Sequence, residues 1–380
     1  MVPITRLWLK SQAVWRSLDG LSDVNLCYRY QLFAVTAKPS NVTIKHVAKL
    51  AGVSPMTVSR VINGSIRVSP DTQRRVQQAI SDLGYVPSRL ARGLSAQKTG
   101  TLAVIVPDVA NPFFTLIVRA AEEVARRSTY RVILCDTRAD LAVERDVVEE
   151  LIAHRVEGIL IAPVSDGSKP HLARLATFGV PFVLIDRTVG GIDADAVVGD
   201  STGGGRLLVE HLIRLGHRRI GLIVEGDEVS TARERRKGYE AALRAADLSL
   251  DAALVEVQAP DPDGGSLGMS RLLALEEPPS AVFAVNNLVA LGAIEAVRSA
   301  GLEVPDDVAL VCFDDIELAS RLYPFLTAME QPAETFGTLA TQLLLERIDG
   351  RGPAHGHVVV LPGRLTIRRS CGARPVVTAV

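Results

Sequence analysis

The chain has 380 residues, 47% of them hydrophobic, which suffices for a substantial core and for a small module beside one or two larger domains. Its formal charge of −1 hides an uneven distribution: residues 1–40 carry +3, residues 41–100 carry +7, and residues 101–380 carry −11. No apolar run reaches the roughly 18–20 residues that span a bilayer, and MVPITRLWLKSQAVWRS lacks the apolar stretch and small-residue site of an export signal, so neither a membrane-spanning segment nor a signal peptide is expected.

Residues 1–40 mix Trp8, Trp15, Tyr28 and Tyr30 without a firm period. They are expected to form a poorly ordered extension, lying upstream of a translation start near Val42. The next segment, TIKHVAKLAGVSPMTVSRVIN (43–63), predicts two short helices around a tight turn. Ile44, Val47, Ala48 and Ala51 fall at i, i+3, i+4 and i+7 and make one apolar stripe. Gly52 permits the reversal, since glycine takes positive φ without a Cβ clash. Ser54 is a good N-cap and Pro55 suits the first helical position, where its missing N–H costs nothing. Val58, Val61 and Ile62 share a face, leaving Pro55, Met56, Thr57, Ser59 and Arg60 outward. That is the geometry of a helix-turn-helix, whose second helix lies in the DNA major groove. An ordinary helical hairpin would share the caps and stripes, and the residues that follow weigh against it. Ser69 and Pro70 open a third helix in which Val76, Ala79, Ile80 and Leu83 close a three-helix core, and Gly84 ends it. SRLARGL (88–94) has helical potential but is too short to be stable alone.

AGVSPMTVSRVING resembles the N-terminal signature of the lac repressor (LacI/GalR) family of bacterial transcription regulators. By that resemblance residues 88–94 correspond to a hinge helix that folds on operator DNA, with Leu94 at the position of a leucine wedged into the minor groove. A basic head on an acidic body is the electrostatic footprint of a DNA binder whose larger part does something else. Within the head, Arg60 is the candidate for bidentate readout of guanine, Pro55 and Met56 for apolar or steric base contacts, and Lys45, Arg67 and Arg89 for phosphate. Thr43, Ser54, Thr57, Ser59 and Asn63 complete the candidate DNA interface.

From Thr101 the sequence alternates short apolar runs with amphipathic stretches. LAVIVP (102–107), RVILCD (131–136), GILIAP (158–163) and PFVLID (181–186) are interleaved with helical 113–127, 144–155 and 169–178. A second set has IGLIVE (220–225), VEV (255–257), AVFAVN (281–286) and VALVCFD (308–314), interleaved with 233–246, 267–275 and 287–300. Continuous β-branched runs predict strands buried on both faces, and the alternation predicts parallel sheets with covering helices. Two sets mean two α/β subdomains. They resemble the periplasmic-binding-protein fold of the family's effector core, which implies crossings between subdomains near Gly199, Met329 and Leu361. The expected layout is an extension over 1–40, a DNA-binding domain over 41–87, a hinge and linker over 88–100, and a core over 101–380. Within the core, subdomain one takes 101–199 and 330–360, and subdomain two takes 200–329 and 361–373.

Open α/β sheets bind ligands beyond the C-terminal ends of their strands. Asn111, Phe113, Phe114, Asp186, Arg187, Arg235, Asn286 and Asp314 follow such ends in both sets. Rings to stack on and carboxylates beside guanidiniums suit a sugar or sugar-like polyol. In the resemblance, Arg235, Asn286 and Asp314 match residues that contact the effector. Asn287 stands where the family commonly has aspartate.

Gly203-Gly204-Gly205 lacks the G-x-x-x-x-G-K-[ST] arrangement and predicts tight helix–sheet packing instead of a phosphate loop. Cys27, Cys135, Cys312 and Cys371 are isolated, as buried thiols in a reducing compartment would be. No metal spacing, cofactor motif or nucleophile–base constellation emerges, so neither a cofactor nor an enzyme is predicted. The expectation is a cytoplasmic, nucleoid-associated repressor of carbohydrate catabolism or transport genes. Its expected partners are double-stranded operator DNA, a small sugar-like effector that releases it, and a second or further copies as dimer or tetramer. A corepressor-dependent or activating regulator with a non-sugar effector is the alternative. A sugar-binding receptor or a sugar enzyme ranks lower.

Overall fold

The structure, a computed structural model, describes residues 42–62, 68–85 and 99–373, with 317–319 described by backbone alone. Expectations for the N-terminal extension, the hinge helix, Asn63, Arg67, Arg89, Leu94 and Cys27 fall outside the described residues. The chain divides into two compact units between Ser88 and Arg89.

The first unit holds α1 (Ile44–Ala51), α2 (Pro55–Ile62) and α3 (Pro70–Asp82). Its core is Val47, Ala48 and Ala51 from α1, Val58 from α2, and Val76 and Ala79 from α3. Ile44, Val61, Ile62, Ile80 and Leu83 pack around it half-buried. With so few buried side chains, local signals carry much of the specification. Gly52 sits at φ +65°, and the N–H of Val53 reaches back to the carbonyl of Ala48 at 3.0 Å, closing α1 in the left-handed turn that glycine favours. Ser54 Oγ accepts the N–H of Thr57 at 3.1 Å, and Ser69 Oγ accepts that of Thr72 at 3.4 Å, each satisfying a donor that the first turn leaves over.

The second unit contains two six-stranded sheets. Lobe one has the order β11-β5-β4-β3-β1-β2, built from β1 (Thr101–Val106), β2 (Arg131–Asp136), β3 (Gly158–Ile161), β4 (Phe182–Asp186), β5 (Asp195–Gly199) and β11 (Val358–Leu361). All its pairings are parallel. Lobe two has the order β12-β10-β9-β8-β6-β7, from β6 (Ile220–Val224), β7 (Val255–Val257), β8 (Ala281–Ala284), β9 (Ala309–Phe313), β10 (Thr327–Glu330) and β12 (Arg364–Thr366), with β10–β12 antiparallel. The α4 (Pro112–Arg127), α5 (Leu141–Ala153) and α6 (Lys169–Thr177) helices make the crossovers of lobe one. Lobe two uses α7 (Ser201–Arg214), α8 (Ser230–Ala245), α9 (Pro262–Leu273), α10 (Asn287–Ser299) and the short α11 (Glu317–Leu322). The late helix α12 (Ala333–Ile348) returns to lobe one, where Phe336, Ala340 and Leu344 join the core beneath β3 and β4. The chain therefore passes between lobes three times, after β5, β10 and β11.

Every residue of β3, β6, β8 and β9 is buried, as continuous β-branched runs require in sheets covered on both faces. RVILCD departs from that expectation. It forms the edge strand β2, and Ile133 and Leu134 are exposed. The apolar run alone cannot say whether a neighbouring strand covers it. Cys135 is accordingly only half-buried, whereas Cys312 and Cys371 are buried. Helices α5, α8 and α9 begin three to five residues before the predicted stretches, because Asp140 and Asp261 cap α5 and α9 ahead of their apolar faces. Elements β5, β10, β11, β12 and α12 had no counterpart in the periodic reading. The strands have three to five residues, and α12 is interrupted by Thr335, Gly337, Thr338 and Thr341, which dilute its apolar stripe.

Gly203-Gly204-Gly205 opens α7. Asp200 Oδ1 accepts the Gly203 N–H at 2.8 Å, a Cβ on Gly204 would meet the Phe313 ring, and one on Gly205 would lie 2.8 Å from the Arg235 carbonyl oxygen. The run thus serves packing on both the sheet and the neighbouring helix α8. Gly238 completes the contact from α8, where a Cβ would collide with the Thr202 carbonyl oxygen. Gly238→Ala is expected to destabilise the second unit by roughly 1–3 kcal/mol, since two backbones must separate to admit one methyl. Denaturant melts of variant and wild type check this, and an unchanged midpoint would contradict the close packing.

Candidate DNA interface and effector cleft

In the head, Pro55, Met56 and Arg60 project from α2 into solvent, and Met56 is 63% exposed. Ser54 and Thr57 are engaged with one another, their hydroxyls 2.9 Å apart, so part of their polar capacity is spent on the cap. Ser59 is half-buried, while Thr43 and Lys45 are exposed at the start of α1. The Thr43 N–H donates to His46 Nδ1 at 3.1 Å and steadies that start.

In the second unit, strand order reverses between β1 and β3 in lobe one and between β6 and β8 in lobe two. Loops leaving such neighbours turn to opposite sides of the sheet and open a crevice between them. Here the two crevices face each other. Asn287 Nδ2, after β8, donates to Asn111 Oδ1, after β1, at 3.3 Å. Arg187, after β4, lies 3.6 Å from Glu225, after β6. The Asp166 N–H, after β3, donates to the Glu228 carbonyl at 2.8 Å, and Arg233 Nη1 donates to Asp166 Oδ2 at 3.0 Å. The Thr188 N–H donates to Ser230 Oγ at 3.0 Å.

Five charged side chains are buried at this junction: Asp186, Arg187, Glu225, Arg235 and Asp314. Arg235 lies 3.8 Å above the Phe313 ring, donates from Nη1 to the Val285 carbonyl at 2.8 Å, and reaches Asp314 Oδ2 with Nη2 at 3.8 Å. Arg187 donates to the Val164 carbonyl at 3.0 Å, and its Nε lies 3.6 Å from Asp186 Oδ2. Gln331 Nε2 donates to Asp314 Oδ1 at 2.8 Å. Asp186 and Asp314 occupy matching places at strand ends, and both adopt left-handed backbone, φ +64° and +63°. For a residue with a Cβ such backbone costs on the order of 1 kcal/mol and is concentrated at functional sites. Burial raises the Asp314 carboxyl above the usual range, against the pull of Arg235. A cavity of about 350 Å³ adjoins Asp314 and Gln331, bounded also by Phe113, Leu116 and Arg368.

The structure brings together Asn111, Asp186, Arg187, Arg235 and Asp314. Asn286 sits beside them but spends its side chain on the cap of α10, accepting from Val289 N–H at 2.8 Å, and on the Pro260 carbonyl at 3.2 Å. The aromatic expectation changes most. Phe113 and Phe114 pack edge to face at 5.2 Å, and Phe113 meets Phe336 likewise at 5.6 Å. Both belong to the lobe-one core, and only Phe113 touches the cavity. Glu225 and Gln331 were missed. Glu225 closes the run IGLIVE and was discoverable as a strand-end carboxylate, whereas Gln331 follows a strand of four residues that left no readable period. Asn287, noticed as a departure from the family pattern, proves to bridge the lobes.

Two facing α/β lobes and a separate three-helix unit define a helix-turn-helix protein with a periplasmic-binding-protein-like core. The chain belongs to the lacI family of bacterial regulatory proteins. The family's model matches residues 43–88, and a periplasmic binding protein-like domain model matches 209–371. The HTH-type transcriptional repressor PurR of Haemophilus influenzae (strain PittEE) is 39% identical over 308 residues, 80% of this chain and 91% of that protein. The ribose operon repressor of Haemophilus influenzae (strain ATCC 51907 / DSM 11121 / KW20 / Rd) is 33% identical over 84% of this chain and 96% of its own length. Among solved structures, the lac repressor dimer bound to operator and the anti-inducer ONPF aligns with a TM-score of 0.75 at 29% identity, covering 87% of this chain and 99% of that one. The transcriptional regulator CelR–cellobiose complex aligns at 0.66 and 34% identity, with the same coverage. These relatives are transcription regulators and not enzymes, and this chain is a DNA-binding transcription regulator of the same family. Among the described residues no helix is long and apolar enough to cross a membrane.

Burial pushes the Asp186 carboxyl from its ordinary 3.8 up to about 6, the Arg235 and Arg187 guanidiniums holding it down only in part. The folded chain keeps that proton to higher pH than the unfolded chain does. The native state therefore loses stability as pH rises from about 4 to about 6, by up to roughly 3 kcal/mol, and the loss is complete at neutrality. Asp186→Asn retains shape and tolerates the left-handed backbone. It is expected to raise the melting temperature at pH 7.5, with the gain shrinking to nothing below pH 4. A gain independent of pH would assign the effect to something other than the carboxylate.

Proposed function

We propose that this chain is a cytoplasmic, dimeric repressor whose grip on a near-palindromic operator is set by a small sugar-like effector bound between the lobes. The observation that carries the reading is the buried polar cluster drawn from both lobes. A ligand that touches it contacts both at once, so it has different affinity for different lobe arrangements, and only such a ligand can shift an equilibrium between them. Cellobiose in the CelR complex and ribose in a LacI family regulator from Enterococcus faecium, 28% identical with a TM-score of 0.64, support a sugar as the effector class. Carbohydrate catabolism or transport is the corresponding gene class. The domain layout follows the same reading: head over 41–87, hinge over 88–100, and core from 101 onward.

For the head, α2 enters the major groove with Pro55 and Met56 against base edges and Arg60 on guanine, while Lys45 and, outside the described residues, Arg67 and Arg89 neutralise phosphate. Thr43, Ser54, Thr57, Ser59, Asn63 and Leu94 complete the interface. The test is a mobility shift on the chain's own promoter DNA, with and without residues 41–100. Retention that survives deletion of the head would refute operator binding. Arg60→Ala should cost about 1–3 kcal/mol and relax preference at one base position. Lys45→Ala should instead weaken all sequences alike and reduce the salt slope by about one.

Pairing of two copies is supported by the apolar side chains that each lobe leaves in solvent: Ile133, Leu134, Leu141 and Val143 on lobe one, and Leu267, Leu291, Leu322 and Tyr323 on lobe two. Leu322 is 84% exposed and its chain neighbour Tyr323 61%. Leu322→Asp is expected to leave the far-ultraviolet circular dichroism of the fold intact, shift sedimentation to the monomer, and weaken operator binding because two heads no longer act together. A variant that still sediments as the wild type would remove Leu322 from the interface.

A further inference from the structure

The cleft also specifies the electrical and hydrogen-bonding character of what it holds. Among the described residues, six buried side-chain polar atoms have no hydrogen-bond partner in the protein: Asp166 Oδ1, Asp186 Oδ1, Asn287 Oδ1, Gln331 Oε1, Arg187 Nε and Arg235 Nε. All six belong to residues placed just beyond strand ends or on α8 at the junction of the lobes. Buried polar groups are ordinarily satisfied, so such a concentration marks where a ligand supplies the missing partners. Four are acceptors and two are donors.

The amide assignments are fixed by their neighbours. Asn287 gives its Nδ2 to Asn111 Oδ1, an oxygen already receiving the Phe113 N–H, and Gln331 gives its Nε2 to a carboxylate oxygen of Asp314. The Asn287 amide oxygen is thereby left without a partner at the junction, and that of Gln331 is left unpartnered against Gly199 at the end of β5. The guanidiniums are already committed. Arg187 lies 3.6 Å from both Asp186 and Glu225, and Arg235 lies 3.8 Å from Asp314. Three carboxylates thus surround two guanidiniums. A hydroxyl suits such a place, donating to a carboxylate oxygen and accepting from the adjoining Nε. A ligand carboxylate or phosphate would approach three like charges and could satisfy none of the four free acceptors.

Resting on the small-effector reading above, we propose that the effector is a donor-rich molecule, neutral or cationic, and that anionic derivatives of the same skeleton are refused. The full chain is tested by thermal shift and calorimetry against matched sets: ribose, glucose and cellobiose, each beside its amino, aldonic-acid and phosphate derivatives. At least one neutral or amino member should bind, with its carboxylate and phosphate counterparts at least a hundredfold weaker. Asp186→Asn should narrow that gap at least tenfold, because one of the three repelling charges is gone. An anionic member that binds as tightly as its neutral parent overturns the proposal and leaves the small-effector reading standing. A gap that Asp186→Asn does not change overturns the assignment of selectivity to these carboxylates. Failure of every member, whatever its charge, removes the sugar reading and this proposal together.

Discussion

Charge buried between two lobes is the constraint on which the rest of this molecule turns. Taking carboxylates and guanidiniums out of water is costly unless each finds an opposite charge or hydrogen bonds. Here the groups are divided, with Asp186 and Arg187 on lobe one and Glu225, Arg235 and Asp314 on lobe two. Arg187 meets Glu225 only when the lobes are together, and Arg235 and Asp186 influence one another across the same gap. The position of the lobes and the electrostatics of the cleft are therefore one variable. A small molecule that completes the polar partners of this cluster acts directly on lobe geometry, without any separate relay.

Such a cluster needs a stiff frame. The strands beneath it, β3, β6, β8 and β9, are buried along their whole lengths, so the residues at their ends are carried on elements that do not yield. Asp186 and Asp314 hold left-handed backbone at the ends of β4 and β9, and the sheets supply the surrounding energy that keeps them so. Three passages of the chain join the lobes, and the backbone N–H of Asp200 ties one to another by donating to the Leu361 carbonyl at 3.0 Å. Motion between lobes is thereby confined to a few connecting residues, of which Gln331 is also a partner of Asp314. The hinge and the cleft share a side chain.

The head is built on the opposite principle. Its core is six buried residues, all of them alanine or valine, so burial alone contributes little and the caps at Ser54, Ser69 and Gly52 matter in proportion. Local signals of this kind are what a sequence displays openly. The helix-turn-helix was accordingly legible down to its first helical proline. So were β1, β3, β4, β6, β8 and β9, which the continuous apolar runs place within the sheets. Where sequence failed, the cause was context. The edge position of RVILCD, the weak stripe of α12 and the three-residue β12 are set by neighbours far along the chain. Phe113 and Phe114 looked like ligand-facing rings because they open a helix after a strand, yet Phe336, more than two hundred residues later, draws them into the core.

Sequence by itself determined the family, the alternation of strand and helix, the basic head on an acidic body, and the residue types at strand ends. Those follow from period, caps and composition, which neighbouring residues encode. Tertiary structure alone decided which strand ends meet. Asn111 and Asn287 touch across 176 positions, Glu225 joins a cluster it was not assigned to, and the unpartnered atoms converge at one junction. Contacts of that range depend on strand order and on three chain crossings, and no local pattern of side chains carries that information.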